Sequence, residues 1–218
     1  MTAAELSTRF DIELDAVASA AAPGFTDDEK SSLLTKAQNI LIQEYARAKN
    51  WNAIYTLVQT STTSDISSIT AYGTKATYID LNTVYSDFRY YVSSRAQLTR
   101  TYPTVSEQKV ECELIERDAI SKFIVATGIN TPYFKYPKVV LEYSSGSSYP
   151  ILIILVDNYT TVIEANFELT YVRIPNDIDI DESVTSELPE NLHKDIVSLA
   201  VQEAVRSLYI SKTPLTSK

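Results

Sequence analysis

The stretch at 188–210, LPENLHKDIVSLAVQEAVRSLYI, carries two adjoining apolar stripes on one predicted helix, and this width constrains the fold more than any other feature. Leu192, Ile196, Leu199, Ala200, Glu203 and Leu208 follow one stripe at helical spacing, and Val197, Val201, Val205 and Tyr209 follow the second. Pro189 suits the first helical position, where its missing N–H costs nothing, and Glu190 complements the positive end of the helix dipole. Together the stripes form a face wider than one small core needs, which reserves one of them for a neighbouring subunit. Such a face is evidence of packing, not of chemistry.

The front of the chain repeats the helical pattern. Leu6, Phe10, Leu14 and Val17 predict a first helix over 2–20 that stops before Pro23-Gly24. A capping box at Thr26-Asp27-Asp28-Glu29 opens a second, with Leu33, Leu34, Ala37, Ile40, Leu41, Tyr45 and Ala48 as its apolar face and Gln38 among the polar residues outside it. A short loop between them favours an antiparallel hairpin, so residues 1–60 read as a helical segment. Residues 51–59 either extend the second helix or begin a third. The polar tract at 60–68 (TSTTSDISS) cannot build a core and reads as a surface connection.

Strand grammar then takes over across 61–187. Residues 76–81, 88–98 (with Phe88, Tyr90, Val92 and Ser94 on one side), 110–115, 137–143, 149–156, 159–165 and 167–174 have strand composition, with turn material at 144–148 and 157–158. A short helix is expected near 117–127. Residues 151–156 are apolar on both faces, so that strand is central, and the terminal helix is its natural cover. The fold class is therefore α+β: a helical hairpin, a mostly antiparallel sheet, a long helix over 188–210 packed on it, and an extended tail at 211–218.

Composition narrows the function. Four glycines in 218 residues leave few backbone positions for phosphate cradles, which argues against nucleotide-binding folds. A net charge of −9 argues against a domain that reads nucleic-acid sequence, which needs clustered Lys and Arg, though it allows DNA to pass nearby. No apolar run reaches the roughly 20 residues that span a bilayer, and the first residues do not resemble a secretory signal, so no membrane partner is expected. The single cysteine, Cys112, reads as a packing residue of a protein assembled in a reducing cytoplasm. Fifteen tyrosines suit half-wet surfaces and interfaces, and equally suit strands.

No constellation of catalytic residues emerges. His193, the only histidine, sits at the exposed start of the terminal helix without a nucleophile in its local context, and reads as a structural or solvent-facing residue. Asp177, Asp179 and Asp181 alternate and could face one cation, but the calcium-loop pattern fails because Glu182 stands where Gly is needed and Leu188 where a bidentate Glu is needed. They read as a solvated acidic linker. No cofactor, metal or catalytic residue is assigned, and the protein is expected not to be an enzyme.

Residues 167–175 (FELTYVRIP), followed by the acidic spacer and LPENLHKDIVSLAV at 188–201, resemble the C-terminal signature of neck proteins of crAss-like tailed phages. FTDDEK at 25–30, with Leu34 and Ala37-Gln38, is similar to the N-terminal helix of the same family, while 61–106 carries the resemblance weakly. The resemblance implies a virion structural protein assembled in the host bacterial cytoplasm. It implies a homo-oligomeric ring, commonly a dodecamer, that joins portal and head to tail around the DNA channel and contacts the portal protein or another neck or tail ring. Candidate subunit-contact residues are Val197, Val201, Val205 and Tyr209 on the terminal helix, Tyr90 and Tyr91 on the sheet, and Pro214 and Leu215 in the tail. The alternative is a tail-associated module that binds a host protein or carbohydrate.

Overall fold

A computed structural model describes residues 1–18, 24–64, 66–71, 74–120, 122, 133, 135–143, 150–163 and 166–211. They form two compact units, Met1–Leu57 with Pro175–Lys218, and Val58–Ile174.

The first unit is helical: α1 (Ala3–Ala18), α2 (Asp27–Arg47), a 3₁₀ segment (Trp51–Leu57) and, after a long linker, α4 (His193–Ser211). The Thr26 box forms as expected: the Glu29 amide donates to Thr26 Oγ1 at 3.3 Å and the Thr26 amide to Glu29 Oε2 at 2.9 Å. The same device, not singled out in the sequence, opens α1 through Thr2 and Glu5. Leu6, Phe10 and Leu14 are buried, and the Phe10 ring meets Phe25 edge to face at 5.8 Å. On α4 both stripes are used internally, because α1 and α2 each pack on it and bury Ile196, Val197, Ala200, Val201 and Ala204. α1 and α2 thus supply the cover of these positions.

Two expectations about α2 and the acidic stretch change together. Gln38 is fully buried, not outward, and it belongs with Ser31 and Thr35 to a polar stripe at i, i+4, i+7. That stripe straps down the acidic linker. Ser31 Oγ accepts from the Ile180 amide at 3.0 Å, Thr35 Oγ1 from the Ile178 amide at 2.9 Å, and Gln38 Nε2 donates to the Asn176 carbonyl at 3.0 Å. An extended segment beside a helix has no ladder of its own, so its amides need side-chain partners, and an all-apolar α2 face could not supply them.

Among the described residues the second unit holds nine strands: β1 (Val58–Thr63), β2 (Ser67–Ala71), β3 (Thr74–Asp80), β4 (Phe88–Thr101), β5 (Thr104–Leu114), β6 (Lys138–Tyr143), β7 (Pro150–Val156), β8 (Thr160–Val162) and β9 (Phe167–Arg173), with a single turn of helix α3 (Leu81–Val84) after β3. Their order is β1-β9-β4-β5-β6-β7-β3-β2, with β8 on β4. Pairing is antiparallel apart from a short parallel contact of β5 with β6. The Ser/Thr tract expected as a connection contributes β1 and the start of β2, which occupy the two ends of the strand order. An end strand pairs along one side only, and β-branched threonine suits it without a core.

Along β4 the expected face of Phe88, Tyr90, Val92 and Ser94 is broken. Register shifts against β9 fall between Phe88 and Tyr90 and between Tyr91 and Ser93, so Phe88, Tyr91 and Ser94 share the core side instead. β7 is central, between β6 and β3, as its apolar run requires. Leu152, Ile154 and Val156 enter the main core of the curled sheet, while Ile153 and Leu155 pack with Ile115, Ile120 and Val140 on the other face. Its cover therefore comes from within the sheet unit. Of the helix expected near 117–127, a 3₁₀ turn at Arg117–Ala119 is seen, and 121 and 123–127 lie outside the described residues, as do the turn at 144–148 and the tail at 212–218.

Three phenols lock the core near the β4–β9 junction. Tyr171 donates to Asp87 Oδ1 at 2.8 Å and stacks at a tilt on Tyr85 and Phe88, and Tyr91 bonds Ser94 Oγ at 2.9 Å. Burial pushes all three up from 10.0 to about 12. Folding thus favours their neutral form: the stability they lend is complete below pH 10, the unfolded value, and is lost as pH rises through 12. Alkaline titration is expected to show a late tyrosinate fraction that ionises together with loss of sheet circular dichroism. Ionisation of every tyrosine near pH 10 with the sheet intact would contradict this.

Candidate subunit-contact site

The helical unit is pinned at one end and open at the other. At the pinned end the Met1 amino group lies 3.0 Å from His193 Nδ1 and 3.4 Å from Glu190 Oε1, and Thr185 Oγ1 donates to the Met1 carbonyl at 2.8 Å. His193 Nε2 is 2.9 Å from the Leu188 carbonyl, which can only accept, so Nε2 carries the proton and Nδ1 accepts from the amine. His193 is 3 % exposed, contrary to its expected surface position, and both ring nitrogens are occupied in joining segments. It is a structural histidine.

Ion pairs tie the three helices together. Buried Lys30 of α2 reaches Asp11 of α1 at 2.7 Å and donates to Ser7 at 3.3 Å. Lys36 of α2 pairs closely with Glu203 of α4, which Arg206 also contacts at 2.8 Å. The hydrogen bond from Lys36 holds the Glu203 carboxyl below its ordinary range despite its desolvation, with Arg206 acting in the same direction.

At the open end the α1 core stripe outruns its partner. Val17, expected on the buried stripe, is 64 % exposed, and with Ala16 it forms one wall of a groove of about 420 Å³ whose other wall is Val201 and Val205 of α4. Glu13, Ser198, Gln202 and Arg206 also line it. Farther round α1, Ile12 is 65 % exposed and, with Ala4 and Thr8, borders a shallow hollow flanked by Glu5 and Arg9.

Among the expected contact residues, Val197 (0 % exposed) and Val201 (4 %) are covered within the chain, and half-buried Val205 stands at the groove. Tyr209 lies in the last turns of α4 with its side chain outside the described atoms, and Pro214 and Leu215 lie outside the described residues. Tyr91 turns toward the core, whereas Tyr90 is half-exposed under the Arg89 guanidinium, 5.5 Å from the ring centroid. Ile12 was not singled out in the sequence. The available signal was one bulky aliphatic side chain on the polar side of an otherwise regular amphipathic helix.

Asp179 closes a turn, its backbone bridging Val184 and its Oδ1 accepting from the Glu182 amide at 2.9 Å, while Ile178 between the aspartates points inward. Among the described residues no three His, Cys, Asp or Glu side chains converge as a metal-binding set. Cys112 is buried and its thiol is pushed up to about 12, so it packs rather than reacts. A small polar hollow on the sheet, bordered by Thr60, Arg95, Glu168 and Thr170, is already knitted by the Thr60–Thr170 bond at 2.8 Å and a Lys109–Glu168 pair. No helix among the described residues is long and apolar enough to cross a membrane.

No curated protein matches the chain. Residues 1–115 match the family described as phage tail ring protein 3/4, a span that includes α1, α2 with its Thr26 capping box, and the sheet as far as β5. The FELTYVRIP block and α4 lie beyond the matched span, while residues 61–106, weak in the resemblance, lie inside it. With more than half of its 218 residues matched, the chain belongs to the phage tail ring protein 3/4 family of structural ring proteins.

Proposed function

We propose that this ring protein forms a closed homo-oligomer in the phage neck, joins the portal and head to the tail, and leaves a channel through which genomic DNA passes. The family match over 1–115 carries this reading. The net charge of −9 supports it, because an acidic ring repels phosphate and lets DNA slide without adhering. The neighbours are further copies of the chain, in a dodecamer, with the portal protein or another neck or tail ring above and below. The role is structural, and the virion is its location.

The test is the assembly state of the full chain, by mass measurement and negative-stain imaging, together with its position in images of intact particles. Rings at the neck that do not retain duplex DNA at physiological salt are expected. A strictly monomeric protein absent from virions would overturn the reading. One observation favours the alternative of a host or carbohydrate binding module: Tyr102 (73 % exposed) and Tyr159 (54 %) sit side by side at the β4–β5 hairpin tip, ring centroids 6.3 Å apart, as glycan-stacking aromatics do. Saturable glycan binding lost on Tyr102→Ala would support that alternative.

A further inference from the structure

The helical unit carries two apolar patches on one helix, and a ring needs two different patches on each subunit. Val17 follows Phe10 by two helical turns and lies on the same side of α1, yet it is 64 % exposed, and among the described residues nothing fills the groove between Val17 and Val205. Ile12 stands about 140° away around α1, from the five-residue separation at 100° each, too far round to fill the groove of its own chain. Both residues are roughly two-thirds exposed in the isolated chain. Ala16, Val17, Val201 and Val205 supply its apolar lining beside Glu13, Ser198, Gln202 and Arg206, and that apolar part suits an aliphatic side chain.

We propose that Ile12 of one copy inserts into the Val17–Val205 groove of the next copy, making α1 the two-sided bracket of the subunit contact. This rests on the ring reading above and deepens it. Charged residues border both surfaces, and they are paired within the chain, Arg9 with Glu13 at 2.9 Å and Arg206 with Glu203 at 2.8 Å, so the apolar groups are what each surface leaves without a partner among the described residues. The contact is heterologous, because the patch and its receptor differ. Repeated with a rotation that closes, such a contact generates a ring, whereas a patch pairing with itself would stop at a dimer.

The test is site-directed cross-linking of the full chain with a short bis-maleimide, comparing Ile12→Cys, Val205→Cys and the double variant. Buried Cys112, with its thiol at about 12, leaves the unsubstituted protein unlabelled as the control. The double variant is expected to give a ladder of covalent multiples on denaturing gels, and each single variant only monomer. Rings seen by mass measurement with the double variant still monomeric on the gel would overturn this contact and leave the ring reading standing. A dimer from Ile12→Cys alone would overturn the heterologous arrangement. Absence of both rings and cross-links would overturn the contact and the ring reading together.

Discussion

Replacing Phe10 by alanine is expected to lower the stability of the helical unit by about 3–5 kcal/mol, the range for emptying a buried aromatic site. Phe10 is among the largest fully buried side chains, in the middle of α1, and its ring edge meets the face of Phe25 at 5.8 Å and 88°. The site can collapse little, because α1 is fixed at its start by the Thr2–Glu5 box and on its side by the Lys30–Asp11 pair. The single tryptophan, Trp51, belongs to the helical unit, so its fluorescence during denaturant unfolding reports this loss. The neighbouring Ile12→Ala, at a position 65 % exposed, is expected to stay within about 0.5 kcal/mol. A Phe10→Ala midpoint shift equivalent to less than about 1 kcal/mol would show that α1 is not integral to the unit. The pair of variants also separates folding from assembly, since Ile12 matters to the ring and Phe10 to the subunit.

What the sequence made legible follows from which constraints are local. The Thr26 box, the apolar spacing of Leu6, Phe10 and Leu14, and the all-apolar run of β7 each state their structure within a few residues, and each is found. The family was legible for a related reason: FTDDEK at 25–30 sits within the matched span. What was misread depended on partners distant in the chain. Gln38 looks like a surface residue until Asn176 and Ser186 lie against it, more than a hundred residues later. Within the helical unit α1 and α2 reach α4 from far along the chain, and within the sheet unit both faces of β7 meet residues of other strands, pairings that no local pattern states. Tyr91 shares the Phe88 side because of two bulges, and a strict period of two cannot foresee either. Val17 shows the same limit in reverse: its spacing promises burial, and only the place where its partner's cover stops decides otherwise.

Gln38→Leu is expected to destabilise the helical unit by about 2–4 kcal/mol, although leucine is apolar, similar in size and placed in a fully buried position. The amide does what no aliphatic group can. Its Nε2 donates to the Asn176 carbonyl at 3.0 Å, and its Oε1 accepts from Ser186 Oγ at 2.6 Å, whose oxygen in turn accepts from the Leu188 amide at 3.2 Å. Leucine would leave the Asn176 carbonyl without its donor and the buried Ser186 hydroxyl proton without an acceptor, and the desolvation of that hydroxyl persists after the bond is gone. These bonds hold the two ends of the segment that leads from the sheet unit's last strand to α4, so their loss loosens the delivery of α4 to α2. Amide exchange should therefore quicken at Ile178 and Ile180, held by Thr35 and Ser31 on the same stripe, before any change at β7. Unchanged exchange there, with stability within about 0.5 kcal/mol of the parent, would mean that the strap rests on α2 without holding it.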